Sequence, residues 1–238
     1  MWVWVLATLA AYFVKGVCGF ASTMVFTALV SFASTANVAI TPVDLLLGLP
    51  TNAIIVGKYR RYIQPKIALP LLAAVVAGSI PGVLFLKNLD ARLVKLLFGA
   101  LIAFLGLQSF IQPRRRPSRL PRPALYAVGA LSGLLTGLYG VGALLAAYFS
   151  RVQTDTRAFK ANMCVVFLAE DIFRLIAYLY MGILTPQVLR RALLLAPWMA
   201  LGMAAGLACS AKINESRLRT AIHLFLIVSG VALFCTSL

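Results

Sequence analysis

The stretch KGVCGFAST, residues Lys15–Thr23, is the part of the chain from which its fold can be argued. It lies in the middle of an apolar run that extends from residue 1 to residue 33. A glycine costs about 1 kcal/mol in the interior of a helix, so Gly16 and Gly19 predict a break in this run. Lys15 adds a positive charge at membrane depth, where ionisable side chains are costly and mark functional sites. We therefore predict a broken helix that contributes to a substrate site.

The composition indicates an integral membrane protein. Of 238 residues, 62% are hydrophobic and 12% are charged, whereas soluble domains are about half apolar and about a quarter charged. Apolar segments long enough to cross a bilayer recur through the chain. They cover residues 1–33, 40–57, 66–86, 93–111, 123–149, 160–181, 187–209 and 217–236. The predicted fold class is an all-α polytopic membrane protein.

The net charge of +16 points to the membrane surface. Most basic residues lie in short loops between apolar segments, where such charges set topology and contact anionic lipid. We therefore expect the lipid bilayer as a partner, and no nucleic acid. The four cysteines lie in apolar segments without the spacing of a metal site, and His223 is the single histidine. We expect no metal and no cofactor.

A Pro- and Arg-rich linker, residues 112–122, divides the chain into two halves, residues 1–111 and 123–238, each with four apolar segments. Glycines recur in collinear order in both halves: Gly16, Gly19, Gly78 and Gly82 in the first, and Gly137, Gly140, Gly202 and Gly206 in the second. Internal repeats are typical of secondary transporters, whose substrate site lies near the membrane midplane at the repeat interface. The sequence therefore predicts two structural repeats.

The basic residues favour re-entrant hairpins for the first segment of each half. If all eight segments span, the two sides of the membrane carry eleven and nine basic residues, which is almost no bias. If both first segments turn back at their glycines, the sides carry fifteen and five, in line with the positive-inside rule. A straight helix over residues 1–33 would also be about 50 Å long, against a hydrocarbon core of about 30 Å. This predicts an inverted repeat. A tilted or kinked single span in each half is the alternative.

The glycine breaks also predict where an anion binds. After a break, the first amide groups of the next helix lack intrahelical partners, and the positive end of its dipole faces the break. Such a helix start is an anion site. Lys15 and Arg174 add positive charge, while Glu170 or Asp171 can carry a proton. The alternative is that the glycines only allow close packing and that Glu170 and Arg174 form a structural ion pair.

These arguments give a set of candidate residues. Asn52 joins it because it lies near the position that repeats as Asp171, and Lys15 is a candidate partner for Asp171. The predicted substrate-binding residues are Lys15, Gly16, Gly19, Ser22, Thr23, Asn52, Gly137, Tyr139, Gly140, Gly142 and Arg174. The predicted proton-coupling residues are Glu170 and Asp171.

Further stretches complete a resemblance to a known family. They are Arg157–Asn162 (RAFKAN), Tyr180–Thr185 (YMGILT) and Leu226–Gly230 (LIVSG), which follow the glycine clusters in collinear order. With the paired four-segment halves, they make the chain similar to the sulfite exporter TauE/SafE family. The resemblance implies secondary transport of small sulfur-containing anions, such as sulfite, thiosulfate and organosulfonates. Cys18 and Ala21 stand where further glycines are frequent in that family.

The combined interpretation is a multi-pass carrier of small anions in the cell inner (plasma) membrane, with sulfite or an organosulfonate as substrate and coupling to protons as one option. It is not expected to be an enzyme, because one histidine and one buried acidic pair make a thin case for a membrane-embedded active site. A non-transporting scaffold or assembly factor, or a channel, is the alternative. The sequence leaves a homo-oligomer open.

Overall fold

The structure is a computed structural model that describes residues 2–31, 40–85, 122–139, 142–153 and 155–213, with residues 220, 224, 228 and 231. The predicted fourth segment, most of the eighth, nearly all of the linker 112–122, Gly140 and His223 lie outside the described residues. The division into residues 1–111 and 123–238 therefore stays a prediction.

The regular elements in the described ranges are all helices, in agreement with the predicted all-helical class. They are α1 (Trp2–Cys18), α2 (Ser22–Ser31), α3 (Ile40–Lys58), α4 (Pro65–Phe85), α5 (Arg122–Tyr139), α6 (Ala143–Val152), α7 (Thr156–Tyr180) and α8 (Pro186–Lys212). A short 3₁₀ turn, Arg60–Tyr62, follows α3. Helix α7 begins four residues before the apolar segment 160–181, because Asp155 caps it by accepting a hydrogen bond from the Arg157 amide.

Three described helices are long and apolar enough to cross a membrane by length and composition: α3, α4 over Pro65–Val83, and α8. Large apolar side chains face outward, among them Leu69 and Leu193, each 66% exposed. Charged side chains are instead buried between the helices: Lys15, Asp44, Lys160, Glu170, Asp171 and Arg174. This arrangement, apolar outside and charged inside, is that of a membrane protein.

The helices break at both glycine clusters. Helix α1 ends at Cys18 before α2, and α5 ends at Tyr139 before α6. At the first break Gly19 has φ +89° and Ala21 has φ +72°, both in the left-handed region that disfavours a Cβ atom. Helix α2 packs back against α1, since the Trp4 and Phe26 rings lie 5.7 Å apart.

Two helix pairs pack closely through the repeated glycines. A Cβ atom on Gly16 in α1 would lie 2.8 Å from two backbone atoms of α8, Met203 O and Leu207 N. A Cβ atom on Gly137 in α5 would lie 2.6 Å from Ser79 O in α4. Pairs α1–α8 and α4–α5 each join one half of the chain to the other, so the glycines hold the halves together.

We expect Gly16→Ala to lower the stability of the protein by about 1–3 kcal/mol, because its methyl group would have to push two helix backbones apart. Gly57→Ala is the matched control, since a Cβ atom on Gly57 meets nothing within 4 Å. The measurement is the thermal unfolding midpoint of the detergent-purified protein. Equal midpoints for the two variants would mean that α1 and α8 do not pack as closely as described.

Candidate functional site

A cavity of about 40 Å³ lies beside the first break, where α1, α2, α3 and α7 meet. It has room for about three water molecules, since each needs roughly 10–15 Å³. Most of the predicted site residues line it: Lys15, Ser22, Thr23, Asn52, Gly142, Glu170, Asp171 and Arg174. The structure therefore gathers residues from both halves of the chain around one small polar space.

The other predicted site residues have different surroundings. Gly16 packs against α8, Gly137 packs against α4, and Gly19 lies against the Lys160 side chain. Tyr139 is the last residue of α5, and Gly140 lies outside the described residues. The close helix contacts of Gly16 and Gly137 agree with the alternative interpretation, in which these glycines allow helices to pack closely.

Asp44 is the principal cavity residue that the sequence analysis missed. Its carboxylate accepts hydrogen bonds from Thr23 Oγ1 at 2.5 Å and from Tyr12 Oη at 2.9 Å. Thr23 belongs to the first turn of α2, so a carboxylate of the protein itself lies at the helix start where the sequence predicts an anion. The available signal was a lone aspartate inside the apolar segment 40–57, which is costly unless the side chain has a role.

On α7, Glu170 and Arg174 lie side by side. Glu170 Oε1 is 3.6 Å from Arg174 Nε, an ion-pair distance that is too long for a hydrogen bond. Arg174 Nη2 donates a hydrogen bond to Tyr178 Oη at 3.1 Å, and the guanidinium carbon lies 5.4 Å from the centroid of the Tyr178 ring. Tyr178 thus holds the guanidinium in place from the next turn of the same helix.

Asp171 faces α3 and α1. Asn52 Nδ2 donates a hydrogen bond to Asp171 Oδ2 at 2.7 Å, so Asn52 contacts the residue near whose predicted repeat position it lies in the sequence. Lys15 Nζ donates to the Gly48 carbonyl oxygen at 3.3 Å. A Cβ atom on Gly48 would lie 3.7 Å from Asp171 Oδ2 and 3.8 Å from Lys15 Nζ, so the two opposite charges flank the same glycine.

Lys160 supports the break from the side away from the cavity. Lys160 is the first residue of the predicted apolar segment 160–181, and its charge is included above in the basic residues of the loop before that segment. The structure buries it within α7. Its Nζ donates hydrogen bonds to the Gly16 carbonyl oxygen and to Ser210 Oγ, each at 3.1 Å. A lysine at the carboxyl end of α1 offsets the negative end of the helix dipole, so Lys160 stabilises the broken helix there.

We expect Gly19→Ala to destabilise the protein and to displace Lys160. A Cβ atom on Gly19 would lie 2.7 Å from Lys160 Cγ. An alanine there would also have to adopt φ +89°, which costs about 1–2 kcal/mol for an L-residue. Gly182→Ala separates the two effects, because Gly182 has φ +66° and nothing within 4 Å of its Cβ position. Thermal unfolding of both variants measures the difference, and equal losses would show that only the backbone angle matters.

The cavity combines two cations, Lys15 and Arg174, with three carboxyl groups, Asp44, Glu170 and Asp171. Such a set can hold an anion and take up a proton. In the described part of the chain no group of three or more His, Cys, Asp or Glu side chains is arranged to hold a metal ion.

Comparison with known proteins identifies the family. A sequence model of the sulfite exporter TauE/SafE family matches residues 4–233, nearly the whole chain. The chain has no match among curated proteins or among solved structures. The family is one of membrane transporters, which agrees with the apolar helices and with the charges buried between them. The chain therefore belongs to the sulfite exporter TauE/SafE family.

Proposed function

We propose that this protein is a secondary carrier of small anions, with sulfite or a short organosulfonate as substrate, in the cell inner membrane. The observation that carries the proposal is the burial of Lys15 and Arg174 around one small cavity beside the start of α2. Two buried cations and a helix start are the groups that bind oxyanions. With room for about three water molecules, the cavity suits an anion of a few atoms, and a larger organosulfonate would have to widen it.

The carboxyl groups support coupling to protons. When Asp44, Glu170 and Asp171 are all ionised, the cavity has three negative charges against two positive charges. An anion would then enter a cavity whose net charge is already negative. A proton taken up by Glu170 or Asp171 with each anion removes that extra charge. We therefore propose that the carrier moves its anion together with a proton.

The contacts between glycines support a two-fold relation between the halves, which an inverted repeat requires. A Cβ atom on Gly206 would lie 3.0 Å from Gly16 Cα, and one on Gly137 would lie 3.2 Å from Gly82 Cα. The sequence matches Gly16 with Gly137 and Gly206 with Gly82, so exchanging the halves exchanges the two contacts. The hydrogen bond from Asn52 to Asp171 lies between α3 and α7, the helices that such an exchange would relate.

Contacts between loops support the re-entrant topology. Arg157 Nη1 donates a hydrogen bond to Tyr62 Oη at 2.9 Å, which joins the start of α7 to the turn after α3. If every predicted segment spanned, these two positions would lie on opposite sides of the membrane. In the hairpin topology both lie on the side that carries more basic residues, which the positive-inside rule makes cytoplasmic.

Transport by purified protein in liposomes tests the proposal. We expect labelled sulfite and a labelled sulfonate to accumulate when the external pH is lowered, and to stop accumulating when a proton ionophore removes the gradient. Protein-free liposomes are the control. Failure to move either anion, although the protein unfolds cooperatively and reconstitutes, would contradict the proposal. Single-channel currents in the same membranes would show that the protein is a channel and not a carrier.

A further inference from the structure

Three of the side chains that line the cavity each have a buried polar atom that has no hydrogen-bond partner among the described residues. They are Asn52 Oδ1, Glu170 Oε1 and Arg174 Nε. The three side chains are 2%, 1% and 3% exposed, and all three residues line the cavity. A buried polar atom without a partner is costly, so a ligand that supplies matching groups to these three atoms gains binding energy from them.

The side chains do not satisfy these atoms among themselves. Asn52 Nδ2 donates to the Asp171 carboxylate at 2.7 Å, which fixes the amide with Oδ1 on its other side. A reversed amide would set Oδ1 against the same carboxylate, with two acceptors facing each other. Glu170 Oε1 and Arg174 Nε are 3.6 Å apart, beyond hydrogen-bond distance.

The unmet groups are thus one donor and two acceptors. The donor, Arg174 Nε, suits the oxygen of an anion. The acceptors, Asn52 Oδ1 and Glu170 Oε1, need hydrogen atoms, and a fully deprotonated oxyanion or simple alkyl sulfonate has none to offer on a polar atom. An anion that also carries a hydroxyl or ammonium group satisfies both kinds of atom at once.

We propose that the preferred substrate is a small anion that carries a hydrogen-bond donor of its own, a hydroxyl or an ammonium group, which Asn52 and Glu170 recognise. This inference rests on the proposed anion site and names the substrate class for it. A site built to bind a substrate hydroxyl discriminates strongly against an analogue without one, because its buried acceptors are then left unpaired.

Two pairs of anions test the inference on the unmodified protein. Each pair has the same charge and nearly the same size, and one member has a hydroxyl where the other has a methyl group. The pairs are isethionate with 1-propanesulfonate and glycolate with propionate. We expect the hydroxyl member of at least one pair to bind tenfold or more tightly, measured by thermal shift titration and by competition against labelled sulfite uptake. Taurine, which replaces the hydroxyl of isethionate with an ammonium group, tests the second donor type.

Asn52→Leu then tests the assigned residue. We expect this variant to lose most of the preference for the hydroxyl member, while Arg174→Ala weakens both members of a pair alike. Equal affinity of the wild-type protein for both members of both pairs would overturn the inference and leave the anion site intact, since water would then satisfy Asn52 and Glu170. Absence of binding and competition by taurine and by all four anions of the two pairs would overturn the anion site as well.

Discussion

Arg174→Ala is expected to weaken anion binding by roughly 10- to 150-fold, since a hydrogen bond from a charged group contributes about 1.5–3 kcal/mol. Arg174 is the buried cation with an unpartnered donor in the cavity, and Tyr178 holds its guanidinium from the neighbouring turn. The substitution removes both the charge and the donor. It also leaves Glu170 without its ion-pair partner, which makes the cavity more negative and weakens anion binding further.

Two further variants show which property of Arg174 matters. Arg174→Lys keeps the charge but removes the Nε donor and the planar group beside Tyr178, so we expect an intermediate affinity. Arg190→Ala removes a cation from an exposed position near the start of α8 and should bind like the wild type. Thermal shift titrations with sulfite and isethionate provide the affinities. An Arg174→Ala protein that binds and transports normally would remove Arg174 from the site.

The sequence predicted the parts of the fold that depend on local chemistry. Long apolar segments predicted α3, α4 and α8, and the glycine clusters predicted both helix breaks. The spacing of Glu170 and Arg174 predicted that they lie on one face of α7. These predictions succeeded because helix formation, glycine cost and the four-residue periodicity act within a few turns of chain.

The rest of the site depends on contacts between distant residues. In the hydropathy pattern, Asp44 is one polar residue within an apolar segment. Its hydrogen bonds with Tyr12 and Thr23 form only because α3 packs against α1 and α2. Lys160 looked like a loop charge because it stands at the edge of an apolar segment. The same packing uses Gly16 for helix contact, although the sequence alone allowed both contact and substrate binding.

The position of Asp44 also bears on how the site works. Its carboxylate accepts a hydrogen bond from the Thr23 side chain in the first turn of α2, so an anion bound at this helix start would lie near a negative group of the protein. Lys15 cannot compensate alone, because it lies by Gly48 and Asp171. We therefore propose that an anion binds most easily when one of these carboxyl groups is neutral, which would link anion binding to the uptake of a proton.

Glu170→Gln is accordingly expected to separate anion binding from pH. In the wild-type protein, affinity for isethionate should rise as pH falls, by up to about tenfold per pH unit for one proton taken up per anion. Isethionate is the appropriate probe because, unlike sulfite, it does not titrate near neutral pH. Glutamine is neutral at every pH and, like a protonated glutamate, keeps an oxygen that can accept from the substrate hydroxyl. The affinity of the variant should therefore be nearly independent of pH and should exceed that of the wild type in alkaline solution.

The transport assay gives the second half of this prediction. Glu170→Gln should still equilibrate isethionate across the liposome membrane, but a pH gradient should no longer drive accumulation, because the variant carries no proton at this position. Asp155→Asn is the matched control: it makes the same type of change at an exposed helix cap, where asparagine serves as well as aspartate. If Glu170→Gln keeps the accumulation, Asp171→Asn and Asp44→Asn decide whether a neighbouring carboxyl group carries the proton. Retention of pH-driven accumulation in all three single variants would mean that the proton does not travel through this cavity.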